Sequence, residues 1–172
     1  MSGQSGITLL ELLVVVVVSA VILAVGAMAT VPWLARESMR GAVRNAGSLL
    51  QVARTEAVKR NLDCRFVVDL SARTMSVVDT NGTTSPSDDQ TIRLSHLPSV
   101  VSFARPDSGS AITFHEEPGS VYQVDFDPGG FVANGAGEMV LYGGQQFERI
   151  TVYSAGGIRF EKWSGSTWSE GL

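Results

Sequence analysis

The sequence predicts an α+β chain: a long N-terminal helix, first apolar and then amphipathic, packed on an antiparallel two-sheet β head. Three observations carry this. Residues 7–31 are almost uninterruptedly apolar. Residues 39–57 then place apolar side chains at helical spacing. From residue 64 the period drops to two, in short runs separated by Gly, Pro and Asn clusters. A chain of 172 residues has room for one modest domain and an appendage, not for a second large domain.

The 25 residues from Ile7 to Val31 contain one charged side chain, Glu11. As a helix they would span about 37 Å at ~1.5 Å per residue. That exceeds the ~30 Å hydrocarbon core of a bilayer. The run Val14–Val18 is β-branched, but lipid forces backbone hydrogen bonds inward and favours a helix. Three readings compete: a plain anchor, a cleaved secretory signal, and a more specialised segment. Ala27-Met28-Ala29 fits the small-x-small cleavage pattern of a secretory signal. However, the apolar stretch is longer than such signals carry, and the first six residues hold no Lys or Arg. A plain anchor leaves Glu11 without a purpose, because an acid in lipid wants a partner.

Residues Gly6-Ile7-Thr8-Leu9-Leu10-Glu11-Leu12 closely resemble the type III signal of type IV pilins and type II secretion pseudopilins. The resemblance implies cleavage after Gly6 by an inner-membrane prepilin peptidase and N-methylation of the new N-terminus at Ile7. Glu11 then becomes the fifth residue of the mature chain. Its implied role is assembly: it pairs with the N-terminal ammonium of a neighbouring subunit, so that two buried charges neutralise each other. Two departures stand out. The first mature residue is Ile rather than Phe or Met, and the short leader lacks basic residues.

Pro32 follows the apolar run and is expected to kink or briefly interrupt the helix. Beyond it, Met39, Val43, Ala46, Leu50, Ala53 and Ala57 form one apolar stripe that should pack on the chain's own sheet. Arg40, Arg44, Gln51 and Arg54 fall on the other side, where they face solvent, acidic headgroups or a neighbouring subunit. Lys59 and Arg60 complement the helix dipole in the last turn, and Asn61 is the expected stop. Gly41 and Gly47 each cost about 1 kcal/mol of helix propensity, which a closely packed partner surface would explain.

The stretch from Leu49-Leu50-Gln51-Val52-Ala53-Arg54 to Glu56-Ala57-Val58-Lys59-Arg60-Asn61 adds a second resemblance, to the GspH/FimT-like branch of minor pseudopilins and minor pilins. Together the two resemblances cover roughly the first 80 residues strongly and the remainder weakly. They imply a pilin-like fold in four segments: leader 1–6, transmembrane or filament-core helix 7–31, amphipathic continuation 32–61, and periplasmic β-rich head 62–172. They also imply a single-pass inner-membrane protein, later part of a pseudopilus. Its implied partners are the prepilin peptidase, other minor and major pseudopilins, and the secretion assembly platform.

In the head, Cys64, Phe66, Val68 and Leu70 alternate with Arg65, Val67 and Asp69 as a half-buried strand does. Ser71-Ala72 turns the chain into a second strand, Arg73–Asp79, and the polar run 80–89 reads as a loop. Further strands are expected at Thr91–Leu94, Val100–Phe103, Ala111–Phe114, Val121–Phe126, Glu138–Leu141, Arg149–Tyr153 and Ile158–Trp163.

Residues 1–60 carry six basic and three acidic side chains, and residues 61–172 carry seven and fourteen, so net charge runs from +3 to −7. An acidic head is a poor general nucleic-acid binder. Some FimT-like minor pilins bind DNA through a Gly-Arg-x-Arg motif. The matching place here, Gly156-Gly157-Ile158-Arg159, has one arginine of the two. The lone Cys64 excludes an intrachain disulfide and the usual structural zinc sites, and reads as a buried small hydrophobe. Gly129-Gly130, Gly143-Gly144 and Gly156-Gly157 fit no phosphate-binding loop and read as turns. Asp79, Asn81, Gly82, Asp88 and Asp89 faintly resemble a calcium loop but lack its closing glutamate. Glu116-Glu117 and Asp125/Asp127 are the acids nearest to a hydrolytic pair, and no nucleophile elbow accompanies them. No catalytic residue, metal or cofactor is expected.

Overall fold

The computed structural model describes residues 8–83 and 86–171. Thr8 caps the first helix. Its Oγ1 accepts a hydrogen bond from the Glu11 backbone N–H at 3.2 Å, satisfying one of the donors a helix start leaves free. Helix α1 then runs from Leu9 to Arg60 as one element. The expected interruption at Pro32 does not occur. Proline removes one backbone donor, and the turns on either side continue.

The chain divides into two compact units, Met1–Leu34 and Ala35–Leu172. In the first, Leu9, Leu10, Leu12–Val18 and Val21–Leu23 are all about half exposed or more. Among the described residues no helix is long and apolar enough to cross a membrane. The segment 7–31 expected to do so begins outside them.

In the second unit the predicted stripe is the helix's contribution to the core. Met39, Val43, Ala46, Leu50, Ala53 and Ala57 are all fully buried, and Arg40, Arg44, Gln51 and Arg54 are exposed. Gly47 has the expected reason: a Cβ there would lie 2.4 Å from Cζ of Phe160. Nothing in the structure explains Gly41, whose Cβ would meet open space. The helix stops where expected. Asn61 adopts a left-handed φ of 56°, and Leu62 N–H donates back to the Ala57 carbonyl at 3.3 Å, which closes the last turn.

Two antiparallel sheets follow. The first has the order β3-β2-β1-β6-β5, with β7 also paired to β6. Its strands are β1 (Cys64–Asp69), β2 (Thr74–Asp79), β3 (Gln90–His96), β5 (His115–Glu117), β6 (Val121–Phe126) and β7 (Val132–Asn134). The second has the order β11-β10-β9-β8-β4. It contains β4 (Ser102–Phe103), β8 (Gly137–Gly143), β9 (Gln146–Val152), β10 (Ile158–Trp163) and β11 (Trp168–Glu170). Period-two burial holds on β1, where Cys64, Phe66 and Val68 are fully buried. Between β8 and β9 the two residues Gly144 and Gln145 both take positive φ, 57° and 65°, the geometry a two-residue hairpin needs.

Two expected strands are corrected. Val100–Phe103 shrinks to the two residues of β4. Ala111–Phe114 is not a strand. Ile112 makes one bridge to Met139 of β8, and the next residues join the other sheet as β5. The chain crosses between sheets there, so Ile112 and Phe114 are buried without forming one ladder. The edge strands β7 and β11 carry no apolar alternation (Val-Ala-Asn and Trp-Ser-Glu), and pairing alone defines them.

Candidate functional site

Of the three residues singled out for processing and assembly, Gly6 and Ile7 lie outside the described residues. Glu11 sits in the first turn of α1, three residues after the capping Thr8. The signal's Thr-Leu-Leu-Glu therefore doubles as a helix start in which the Thr8 hydroxyl is engaged. The periodicity reading missed this role. The spacing of a threonine three residues before a glutamate could have revealed it. Among the described residues the Glu11 carboxylate has no ion-pair partner. Its neighbours Leu9, Leu10, Leu12 and Leu13 are exposed.

The basic residues on the polar side of α1 divide into two groups. Those near its end are committed to the head. Arg54 Nε donates to the Gly130 carbonyl at 3.0 Å. Arg60 Nε donates to Glu56 at 2.8 Å, and its Nη1 pairs with the buried Asp79 of β2. The Arg60 hydrogen bond holds the Glu56 carboxyl below the usual carboxylate range. Arg40 and Arg44 make no ion pair among the described residues.

The faint calcium loop is tied up internally. Asp79 pairs with Arg60 and accepts the Asn81 backbone N–H at 2.9 Å. The Thr83 hydroxyl donates to Asp88 at 2.8 Å, and Asp89 lies 3.8 Å from Arg65. Among the described residues no three His, Cys, Asp or Glu side chains come together as a metal site. The acids considered for hydrolysis serve pairing and turns. Asp125 accepts from Arg65 Nε at 2.6 Å, and Asp127 accepts the Phe131 N–H at 2.9 Å. Tyr122 and Gln123 donate to Glu116 and Glu117. Cys64 is fully buried, and burial pushes its thiol up to about 11, far from a thiolate nucleophile at neutral pH.

The paired glycines are turns. Gly130 and Gly156 have φ of 77° each, and the two loops meet backbone to backbone. At the place matched to the DNA-binding motif, Arg159 lies on β10 and is half exposed. A hydrogen bond to Tyr153 raises its pKa, and Glu161 lies 3.8 Å away.

A long helix that opens in an N-terminal methylation motif and carries a two-sheet antiparallel head defines a type IV pilin-like protein. The prokaryotic N-terminal methylation motif matches residues 1–27. The chain belongs to the family of the type II transport protein GspH, whose model matches residues 42–156. It is thus a member of the minor pseudopilin and minor pilin group, a family of structural, pilin-like components that are generally membrane-anchored. The motif implies processing by a prepilin peptidase and pilin-type assembly.

Among solved structures, the chain is similar to the type IV minor pilin FimU of Pseudomonas aeruginosa PAO1. Identity is 16%, covering 78% of this chain and 94% of that one, at a TM-score of 0.49. It is also similar to the minor pseudopilin EpsH from the type 2 secretion system of Vibrio cholerae. There identity is 16%, covering 69% and 94%, at a TM-score of 0.45. No curated protein matches the chain.

Proposed function

We propose that this protein is a minor pseudopilin that assembles near the tip of a type II secretion pseudopilus, acting as a structural component and not as an enzyme. The GspH family match over residues 42–156 carries this reading. In it, the prepilin peptidase cuts between Gly6 and Ile7, and Ile7 is methylated. The segment 7–31 anchors the chain once in the inner membrane with the head in the periplasm, and later packs in the filament core. The apolar side chains exposed between Leu9 and Leu23 support this, because such a run is stabilised by lipid or by packing in a filament. Other minor and major pseudopilins and the assembly platform are the partners.

The test is a clean deletion strain in which secreted proteins and surface pili are measured side by side. Loss of exoproteins with pili intact is expected. Loss of pili with secretion intact would overturn the reading and make the protein a minor pilin priming a type IV pilus, in motility, adhesion or DNA uptake.

Glu11 is the assembly residue of this proposal. Glu11→Val is expected to leave membrane insertion intact, since it removes a charge from an apolar segment. Incorporation into filaments should fall to a small fraction of wild type, because the neighbour's buried ammonium loses its counter-charge. Membrane fractionation and filament pull-down read the two effects separately. Normal incorporation of Glu11→Val would remove the charge-pairing role.

A further inference from the structure

Within the second unit, a cleft of about 250 Å³ is lined by Arg40, Arg44, Glu148, Lys162 and Gly171. Two of its cations come from α1, one turn apart. Lys162 comes from β10, directly across the ladder from Glu148 on β9. Gly171 is held at the wall by its N–H, which donates to the Phe160 carbonyl at 3.3 Å.

The charges in this cleft are unspent. Glu148 is only 7% exposed, yet among the described residues its carboxylate has no hydrogen bond and no ion pair. Arg40, Arg44 and Lys162 also lack an ion pair there, although all three are close enough to act on Glu148 electrostatically. Burial nonetheless dominates and pushes the Glu148 carboxyl up, against the pull of those three cations. The Glu148 oxygens keep contact with solvent and open on the cleft, where a ligand can reach them. Glu161, the other buried acid of the sheet, is satisfied: Arg149 contacts it at 2.7 Å.

A plain anion would satisfy the three cations but be repelled by Glu148. A plain amine would satisfy Glu148 but face three like charges. A ligand that carries both a phosphate and a primary ammonium a few ångströms apart answers both. Guanidinium groups are the preferred partners of phosphate oxygens.

We propose that this cleft binds a phosphoethanolamine group, with Arg40, Arg44 and Lys162 holding the phosphate and Glu148 holding the ammonium. The group can come from a lipid headgroup or from a soluble molecule.

Calorimetric titration of the full chain in neutral-detergent micelles tests this, with phosphoethanolamine, ethyl phosphate and ethanolamine as probes. Saturable binding of phosphoethanolamine is expected, about tenfold or more tighter than either of the others. The double variant Arg40→Gln/Arg44→Gln should weaken phosphoethanolamine and ethyl phosphate together by about tenfold or more. Glu148→Gln keeps the shape of the side chain and should bring phosphoethanolamine down to the level of ethyl phosphate. Micelles doped with phosphatidylethanolamine separate the sources. Displacement of the soluble probe assigns the site to lipid, and undisturbed binding assigns it to a soluble ligand. No saturable binding, or equal affinity for phosphoethanolamine and ethyl phosphate in the wild type, overturns the proposal.

Discussion

Phe66→Ala is expected to cost about 3–5 kcal/mol of stability, the usual range for emptying a phenylalanine site in a closed core. Phe66 is fully buried at the centre of the first sheet, with Val77 and Val124 beside it in the ladder. Its ring meets Phe114 edge-on, with centroids 6.4 Å apart at 87°. Phe114 arrives from the segment that crosses between the sheets, so the pair ties that crossing to the strand. Thermal unfolding of the full chain in micelles should show the melting temperature falling by about 10 °C, at roughly 3 °C per kcal/mol. A shift of only a degree or two would mean that the two sheets do not close over this position.

Gly156→Ala is expected to destabilise by roughly 3 kcal/mol or more, from two costs that add. A side chain at φ of 77° costs about 1–2 kcal/mol. The new Cβ would also lie 2.0 Å from the Gly130 carbonyl oxygen, which is backbone and cannot step aside freely. That same oxygen accepts the Arg54 hydrogen bond, so moving it disturbs the seam between helix and loops. The neighbouring Gly157 supplies the control. Its Cβ would make only an ordinary contact, 3.7 Å from Tyr153, so Gly157→Ala should stay close to wild type. Comparing the two variants in denaturant separates a steric lock from a general intolerance of the loop to alanine. Equal stability of the two would sink the argument.

The helix and the first two strands were legible because their instructions are local. A stripe from Met39 to Ala57 at spacings of three and four can be satisfied only by a helix with one buried face. The alternation from Cys64 to Val68 can be satisfied only by a strand. Asn61 as the stop followed from side-chain chemistry at one position. What failed was non-local. Ala111–Phe114 has the apolar content of a strand, but Ile112 and Phe114 serve different neighbours as the chain changes sheets. His115–Glu117 and Trp168–Glu170 look like loops and become strands because an edge was open beside them. The helix α1 also continues through Pro32, against the residue's propensity.

The same division holds for the candidate sites. The N-terminal methylation motif over residues 1–27 could be read residue by residue, since a processing enzyme recognises a linear segment. The cleft could not. Arg40 and Arg44 read as a helix face toward solvent, acidic headgroups or a neighbouring subunit, nothing singled out Glu148, and Lys162 fell within a predicted strand. No spacing relates residues 40, 148 and 162. Only the register of β9 against β10, and the seating of α1 on that sheet through Gly47 and Phe160, brings them together. By itself the sequence determined the helix, the alternating strands and the processing signal, because hydrophobic period and linear motifs act over a few residues. The tertiary structure alone decided which charges were neutralised and which were left facing one another, because electrostatic pairing depends on distance in space and not along the chain.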